Sequence, residues 1–249
     1  MDIPTYIINL KGATERLAYV TKQLDQLNIP WERIDAVFGD QLPHPIPDYD
    51  EPKWEKCTGK MTNVRHLGCY FSHIQTCRTF LETDRPYALV LEDDATIDPK
   101  IEAIIDGAFE YAEHWDLLRL SSFREGKFLV FGKLTDGFQI GYNTNILKNT
   151  AAYVINRKAA KLCIEKMLPA YLPIDIALDR DWEYGFKAAC AIPFPVTQRK
   201  EIESQIPRGK KIKRYRLSSK VFNLRTHLVR KKARHCYFSQ LQIERNGSV

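Results

Sequence analysis

This 249-residue chain contains no apolar run near the ~18 residues that a membrane-spanning helix requires. Its start, Met1-Asp2-Ile3-Pro4-Thr5-Tyr6, lacks a basic segment followed by a long apolar one, so no secretory signal is expected. The six cysteines, at 57, 69, 77, 163, 190 and 236, include no C-x-x-C pair. A chain of this size does not need disulfides to fold, so they read as reduced thiols of a cytosolic protein. A glycine-rich phosphate loop is also missing. Lys11-Gly-Ala-Thr-Glu-Arg-Leu17 holds one glycine, which argues against a nucleotidyltransferase. Neither internal repeats nor low-complexity blocks occur.

Acidic residues are absent from one long stretch. From Arg208 to His235 there are 12 Lys or Arg and no Asp or Glu. The net charge of +6 therefore hides an acidic body, with 25 basic and 31 acidic residues outside that stretch. Such a body suits a bound cation, and the basic segment suits an anionic surface. The hydrophobic content, 44%, is enough for a sizeable core. The composition shift places a boundary near residues 204–208, dividing the chain into a body, 1–204, and a basic helical tail, 205–249.

Residues 5–10 read as a strand and 14–27 as a helix, with Leu17, Val20, Leu24 and Leu27 at helical spacing and Thr14 as its N-cap. Residues 31–38 read as a second strand. This β-α-β start predicts a parallel sheet. Residues 41–63 are polar and Pro-rich and read as a long loop, with 47–62 a candidate lid. A helix is expected over 64–82, then a strand over 87–91 and a helix over 99–114. Further strands are expected over 115–120, 127–134, 137–142 and 151–155, followed by a helix over 157–167. A last strand, 188–196, is broken by Pro193 and Pro195.

Tyr87-Ala-Leu-Val-Leu91 is a buried-strand pattern that ends in Glu92-Asp93-Asp94. Three bare carboxylates are too costly to bury, so they must leave the strand hydrated, paired or on a cation. Ligands of open α/β sheets bind outside the carboxyl ends of strands. A hard divalent cation shared with a phosphate fits there. Strand alternation puts Glu92 and Asp94 on one side and Asp93 on the other, unless a turn begins at this point.

His66, Cys69 and His73 share one helix face, a spacing that could seed a zinc site, although no H-x-x-x-H or C-x-x-C supports it. The preferred reading is a half-buried His73 that positions the acidic loop. Asp175 and Asp179 lie one helical turn apart, as stabilising acids of a helix start or as a general base. Asn9, Lys11 and Arg16 follow the first strand and are placed for a nucleotide.

Ile7-Ile-Asn-Leu10 with Glu15-Arg16, Gly68-Cys69-Tyr-Phe-Ser72-His73, Leu91-Glu92-Asp93-Asp94 and Pro173-Ile-Asp175 occur in one order. Together they resemble glycosyltransferase family 25, the lipooligosaccharide group that also contains collagen galactosyltransferases. The resemblance covers residues 4–198 and looks most like the bacterial members. It implies an α/β, GT-A-like (Rossmann-like) nucleotide-sugar-binding sheet with flanking helices. It also implies inverting transfer of galactose or glucose from a UDP-sugar to a lipooligosaccharide or lipopolysaccharide hydroxyl. Asp94, with Glu92 and Asp93, would hold Mn²⁺ or Mg²⁺. Asn9, Leu10, Arg16, Ala36, Ser72, His73, Glu92 and Asp93 would border the donor, and Asp175 would be the base beside a catalytic Asp94. Glu92 departs from the general D-x-D pattern but matches the family's EDD.

Two rivals remain at this stage. Leu91-Glu-Asp-Asp-Ala-Thr96 nearly matches the D-x-D-x-T of haloacid-dehalogenase phosphatases, but Glu92 stands where the nucleophilic Asp belongs, and its longer stem would misplace the attacking oxygen. A nucleic-acid-binding protein rests on the basic tail alone, with Tyr215, Phe222, Tyr237 and Phe238 able to stack bases. In the same tail Val221, Leu224, Leu228 and Val229 recur at helical spacing among Arg225, Arg230, Lys231 and Lys232, as in an interfacial helix. The expectation is therefore a cytoplasmic enzyme, peripheral on the inner face of a bacterial inner membrane, using a lipid-linked acceptor and no nucleic acid.

Overall fold

The computed structural model describes residues 2–124, 126–199, 211, 212 and 215–247. Strand β1 (Thr5–Asn9) leads into α1 (Thr14–Gln26), β2 (Glu32–Asp35), α2 (Glu51–Thr58) and α3 (Val64–Leu81). Next come β3 (Tyr87–Glu92), β4 (Ala95–Ile97), α4 (Ile101–Phe109), β5 (Leu117–Arg119), β6 (Phe128–Lys133), β7 (Gln139–Asn143) and β8 (Ala152–Asn156). The chain continues through α5 (Arg157–Lys166), α6 (Ile174–Leu178), α7 (Asp181–Tyr184), β9 (Ala188–Ile192), β10 (Val196–Gln198) and α8 (Arg216–Gly247).

Eight strands form one sheet in the order β2-β1-β3-β8-β5-β9-β7-β6, and β4 pairs with β10 in a small second ladder. The pairs β1/β2, β1/β3 and β5/β9 are parallel, while β8 runs antiparallel to both β3 and β5. This is the α/β sheet with flanking helices that the resemblance implied.

Both faces of the sheet are buried, and strand alternation sorts the side chains between them. Tyr6, Ile8, Ala88, Val90, Tyr153 and Ile155 face one cluster, with α3, α5 and α6. Ile7, Leu89, Leu91, Ala152 and Val154 face the other, with α1 and α4. The same alternation carries Glu92 toward the α3 side and Asp93 toward the α1 side.

Several local expectations change. Thr14 is the first residue of α1 and makes no cap; Ala13 stands at the cap, its N–H bonded to Leu10 O in a turn through Gly12 at φ +95°. The expected loop over 41–63 contains α2. Its signals were present in the sequence: Asp50 caps Lys53 N–H, Pro52 sits in the first turn, and Gly59 takes the left-handed closing position. The helix expected over 99–114 closes at Phe109, and a single 3₁₀ turn, Ala112–His114, follows. The break at Pro193 and Pro195 separates β9 from β10 as expected.

The basic segment is not a separate tail. Helix α8 lies on the body, with Leu241 buried in the core and Tyr237, Phe238 and Phe222 packed against it. Two of its arginines point inward. Arg230 is 0% exposed and lies 3.5 Å from Asp179 Oδ1. Arg234 is 2% exposed and donates to Asp181 Oδ2 and to Ala188 O. The boundary expected near 204–208 lies outside the described residues. No helix among the described residues is long and apolar enough to cross a membrane.

Candidate active site

The carboxyl ends of β1, β2 and β3 open into a cavity of about 610 Å³. This is where ligands of such sheets bind. One wall is formed by Ile8, Leu10, Ala36, Val37, Phe38 and Gly39; the acidic residues 92–94 and Asp175 also line it. Two glycines bring that wall against α3. A Cβ on Gly39 would lie 2.1 Å from Val64 O, and one on Gly68 would lie 2.6 Å from Val37 O. Side chains there would push the helix off the post-β2 segment.

Strand β3 ends at Glu92, and a turn occupies Asp93 and Asp94. The turn breaks the alternation, so each carboxylate meets different partners. Glu92 faces α3, where His73 Nε2 lies 3.3 Å from its Oε1 and Thr150 donates to the same oxygen. Burial works to raise its pKa, but the hydrogen bonds from His73 and Thr150 and the Arg16 charge outweigh burial and hold it below the usual value. Asp93 faces α1 and is buried. Asn9 Nδ2 donates to its Oδ2 at 2.8 Å, and Arg16 Nε to its Oδ1 at 2.7 Å. Asp94 lies 3.2 Å from Arg16 Nη2 and accepts a 3.3 Å hydrogen bond from Gln198 Nε2.

These contacts revise several assignments. Asn9 and Arg16 were expected to seat a nucleotide. Asn9 is instead 2% exposed, its amide shared between Asp93 and Ala13 O, and it does not line the cavity. Arg16 does line it, with its guanidinium paired to Asp93 and Asp94. Ser72 is buried as well, donating to Gly68 O and accepting from Val37 N–H at 2.8 Å. It anchors the apolar wall. Asp93, held on both oxygens, is the least available of the three carboxylates for a metal.

Glu92 and Asp94 fit a hard cation. His73 and Thr150 both meet Glu92 at Oε1, and the Asp94 pKa is pushed up to about 7 by burial and by the charges of Glu92 and Asp93, against Arg16 and a backbone hydrogen bond. An oxygen donor pair with excess negative charge is the chemistry that Mg²⁺ and Mn²⁺ accept.

The helix-face trio does not assemble. His66 packs edge-on to Trp54, with ring centroids 6.3 Å apart, while Cys69 and His73 converge with Glu92. The His73 ring lies between Glu92 on Nε2 and the Tyr153 hydroxyl on Nδ1, 2.9 Å away. His73 was expected to be half-buried and is instead 1% exposed.

Asp175 also lines the cavity, from the first turn of α6, and accepts Ile176 N–H at 2.8 Å. Burial and the Asp179 charge raise its pKa. Asp179 is not its partner in chemistry. It is 3% exposed, accepts Leu147 N–H at 2.7 Å on Oδ2, and faces Arg230 with Oδ1. Lys60, Arg65, Phe123, Lys148, Asn149, Thr150, Gln198 and Arg199 also line the cavity. No local sequence signal marks them, because they arrive from separate loops, from the start of α3 and from β10.

A "Glycosyltransferase 25 family member" from Anopheles gambiae is 29% identical over 68% of this chain and 30% of its own length. The lipooligosaccharide biosynthesis protein lic2B of Haemophilus influenzae is 27% identical over 63% of this chain and 60% of its own. The chain thus spans about a third to three fifths of these relatives. A solved structure of a Drosophila β-1,4-galactosyltransferase 7 mutant, in complex with manganese, UDP-Gal and xylobiose, superposes with a TM-score of 0.41 at 10% identity, over 88% of this chain and 79% of that one. The family model described as glycosyltransferase family 25 (LPS biosynthesis protein) matches residues 2–178, and with the family's motifs gathered around one cavity the chain belongs to glycosyltransferase family 25.

Proposed function

We propose that this protein is an inverting, UDP-sugar-dependent hexosyltransferase. It moves galactose or glucose to a hydroxyl of a lipooligosaccharide or lipopolysaccharide acceptor. The observation that carries this reading is one cavity lined both by the carboxylates of residues 92–94 and by Asp175. The family membership supports it, and the phosphatase alternative loses ground because Glu92, at its nucleophile position, is tied to His73 and Thr150.

Leu10, Ala36 and Val37 offer the apolar wall for the nucleotide base, with Ser72 holding Val37 in place. Asp94 and Glu92 would hold Mn²⁺ or Mg²⁺, whose charge offsets that of the departing diphosphate. Asp175 takes the proton of the acceptor hydroxyl. The hydroxyl oxygen forms its bond to the anomeric carbon as the bond to the UDP oxygen breaks on the opposite face, which inverts the configuration. A raised pKa brings the Asp175 carboxylate closer to working pH, where a general base is most effective.

The outer face of α8 is read as lying on an anionic membrane that carries the acceptor, at the inner face of the bacterial inner membrane. Leu217, Val221, Leu224 and Leu228 are 58–74% exposed there, with Lys220, Arg225, Lys231 and Lys232 exposed around them.

Titration calorimetry with UDP and Mn²⁺, together with a hydrolysis screen over UDP-sugars, tests the proposal. Manganese-dependent UDP binding that disappears in Asp94→Ala is expected. Absence of both UDP and manganese binding to the native chain would refute it.

A further inference from the structure

The loop between β7 and β8 is fixed at almost every residue. Leu147 N–H donates to Asp179 Oδ2 at 2.7 Å, and Lys148 N–H reaches the same oxygen at 3.4 Å. Arg119 donates to Asn149 O. Asn149 Oδ1 accepts from Ser121 Oγ and from Ala151 N–H, and Thr150 donates to Glu92. Asp179 is itself set by Arg230 of α8.

Within this frame Lys148 takes φ +54°, a left-handed conformation that L side chains rarely adopt. Backbone in such a state persists only where its surroundings over-determine it, and it clusters at functional sites. Here the result is one half-buried ammonium in the cavity. Lys148 has no salt bridge among the described residues, although its charge acts on Asp175. Lysines removed from water are normally paired.

Phe123 stands at the same rim. Its side chain is 65% exposed, and its N–H donates to Leu147 O at 3.4 Å, so the two loops are tied together. An exposed aromatic ring at a polar cavity mouth is a stacking platform for a ring with an apolar face.

We infer that Phe123, Lys148 and Asp175 form the acceptor subsite, and that it selects a sugar bearing an anionic group, phosphate or carboxylate, near the reacting hydroxyl. The sugar ring stacks on Phe123, its anion meets Lys148, and its hydroxyl meets Asp175. This rests on the transferase reading above.

The test uses methyl β-galactoside, its 6-phosphate and the matching uronic acid. Each is titrated onto the full chain holding UDP and Mn²⁺, with binding followed by ligand-observed NMR. At least one of the two anionic probes should bind roughly tenfold to a hundredfold tighter than the neutral one, the range expected for a charge-assisted contact. Comparing the two anionic probes distinguishes phosphate from carboxylate. Lys148→Met should bring all three probes to parity, and Lys148→Arg should keep the preference. Phe123→Ala should weaken all three alike. Equal binding of the neutral and both anionic probes to the native chain, no binding of any probe, or a preference that survives in Lys148→Met would overturn the inference. Failure of UDP to bind would instead strike the transferase reading beneath it.

Discussion

Replacing Arg234 with methionine should test whether α8 is part of the catalytic body. Arg234 is 2% exposed and Asp181 is 0% exposed, so their ion pair is shielded from solvent. Without the guanidinium, Asp181 would keep the hydrogen bond from Ala188 N–H at 3.1 Å but lose its nearest cation. Breaking one side of a buried pair costs about 3–5 kcal/mol, chiefly because the other charge is stranded. Burial already raises the Asp181 pKa, with Arg234 opposing that rise. Once Arg234 is gone, Asp181 can take up a proton and escape part of the penalty, so the lower end, about 3 kcal/mol, is expected. For a domain of this size each kcal/mol corresponds to roughly 2–4 °C, which predicts a fall in Tm of about 6–12 °C. The double variant Arg234→Met/Asp181→Asn removes the stranded charge and should regain about half of the loss, about 1.5 kcal/mol, so the coupling exceeds that by the cost of Asp181→Asn alone. Thermal unfolding followed by circular dichroism and calorimetry reads all four corners of the cycle. A Tm change below about 2 °C, or an early separate transition belonging to α8 alone, would refute the reasoning that these buried arginines join the helix to the body.

Asp175→Asn should lower kcat by about 10²–10⁴-fold while leaving the dissociation constant for UDP-sugar nearly unchanged, because a base acts mainly in the transition state; a loss confined to donor affinity would move Asp175 to a binding role. Only the ionised carboxylate accepts a proton, and burial raises the Asp175 pKa, so kcat/KM should fall with decreasing pH through a value above the ordinary aspartate one of 3.8. Since the Lys148 charge works to lower that pKa, Lys148→Met should move the acid limb to higher pH, and an unmoved limb would deny that this charge acts on Asp175. Leu224→Glu with Leu228→Glu, on the exposed face of α8, should abolish flotation with anionic vesicles while leaving Tm within about 1 °C. Unaltered flotation would remove that face from membrane binding.

Much of the site was legible along the chain because its signals are local. An apolar strand that ends in three carboxylates announces a ligand-bearing strand end, and the alternation of Ala88 to Leu91 between the two core clusters follows from the pleat alone. The 64–82 helix and the Pro193 break were also legible from periodicity and proline chemistry. Helix α2 was legible and was passed over, since Asp50, Pro52 and Gly59 are ordinary caps hidden in a Pro-rich context.

What the sequence by itself determined is the alternation of elements, the faces their side chains take, and the motifs that mark a family. Tertiary structure alone decided which charge meets which. Arg16 and Asp93 are 77 residues apart, and Arg234 and Asp181 are 53 apart. No periodicity encodes such pairings, because a side chain's face is set within one turn or pleat while its partner is set by how the layers pack. For that reason a stretch that reads as a basic membrane-surface helix turns two arginines inward, and a lysine without any motif stands at strained backbone in the same cavity as the proposed base.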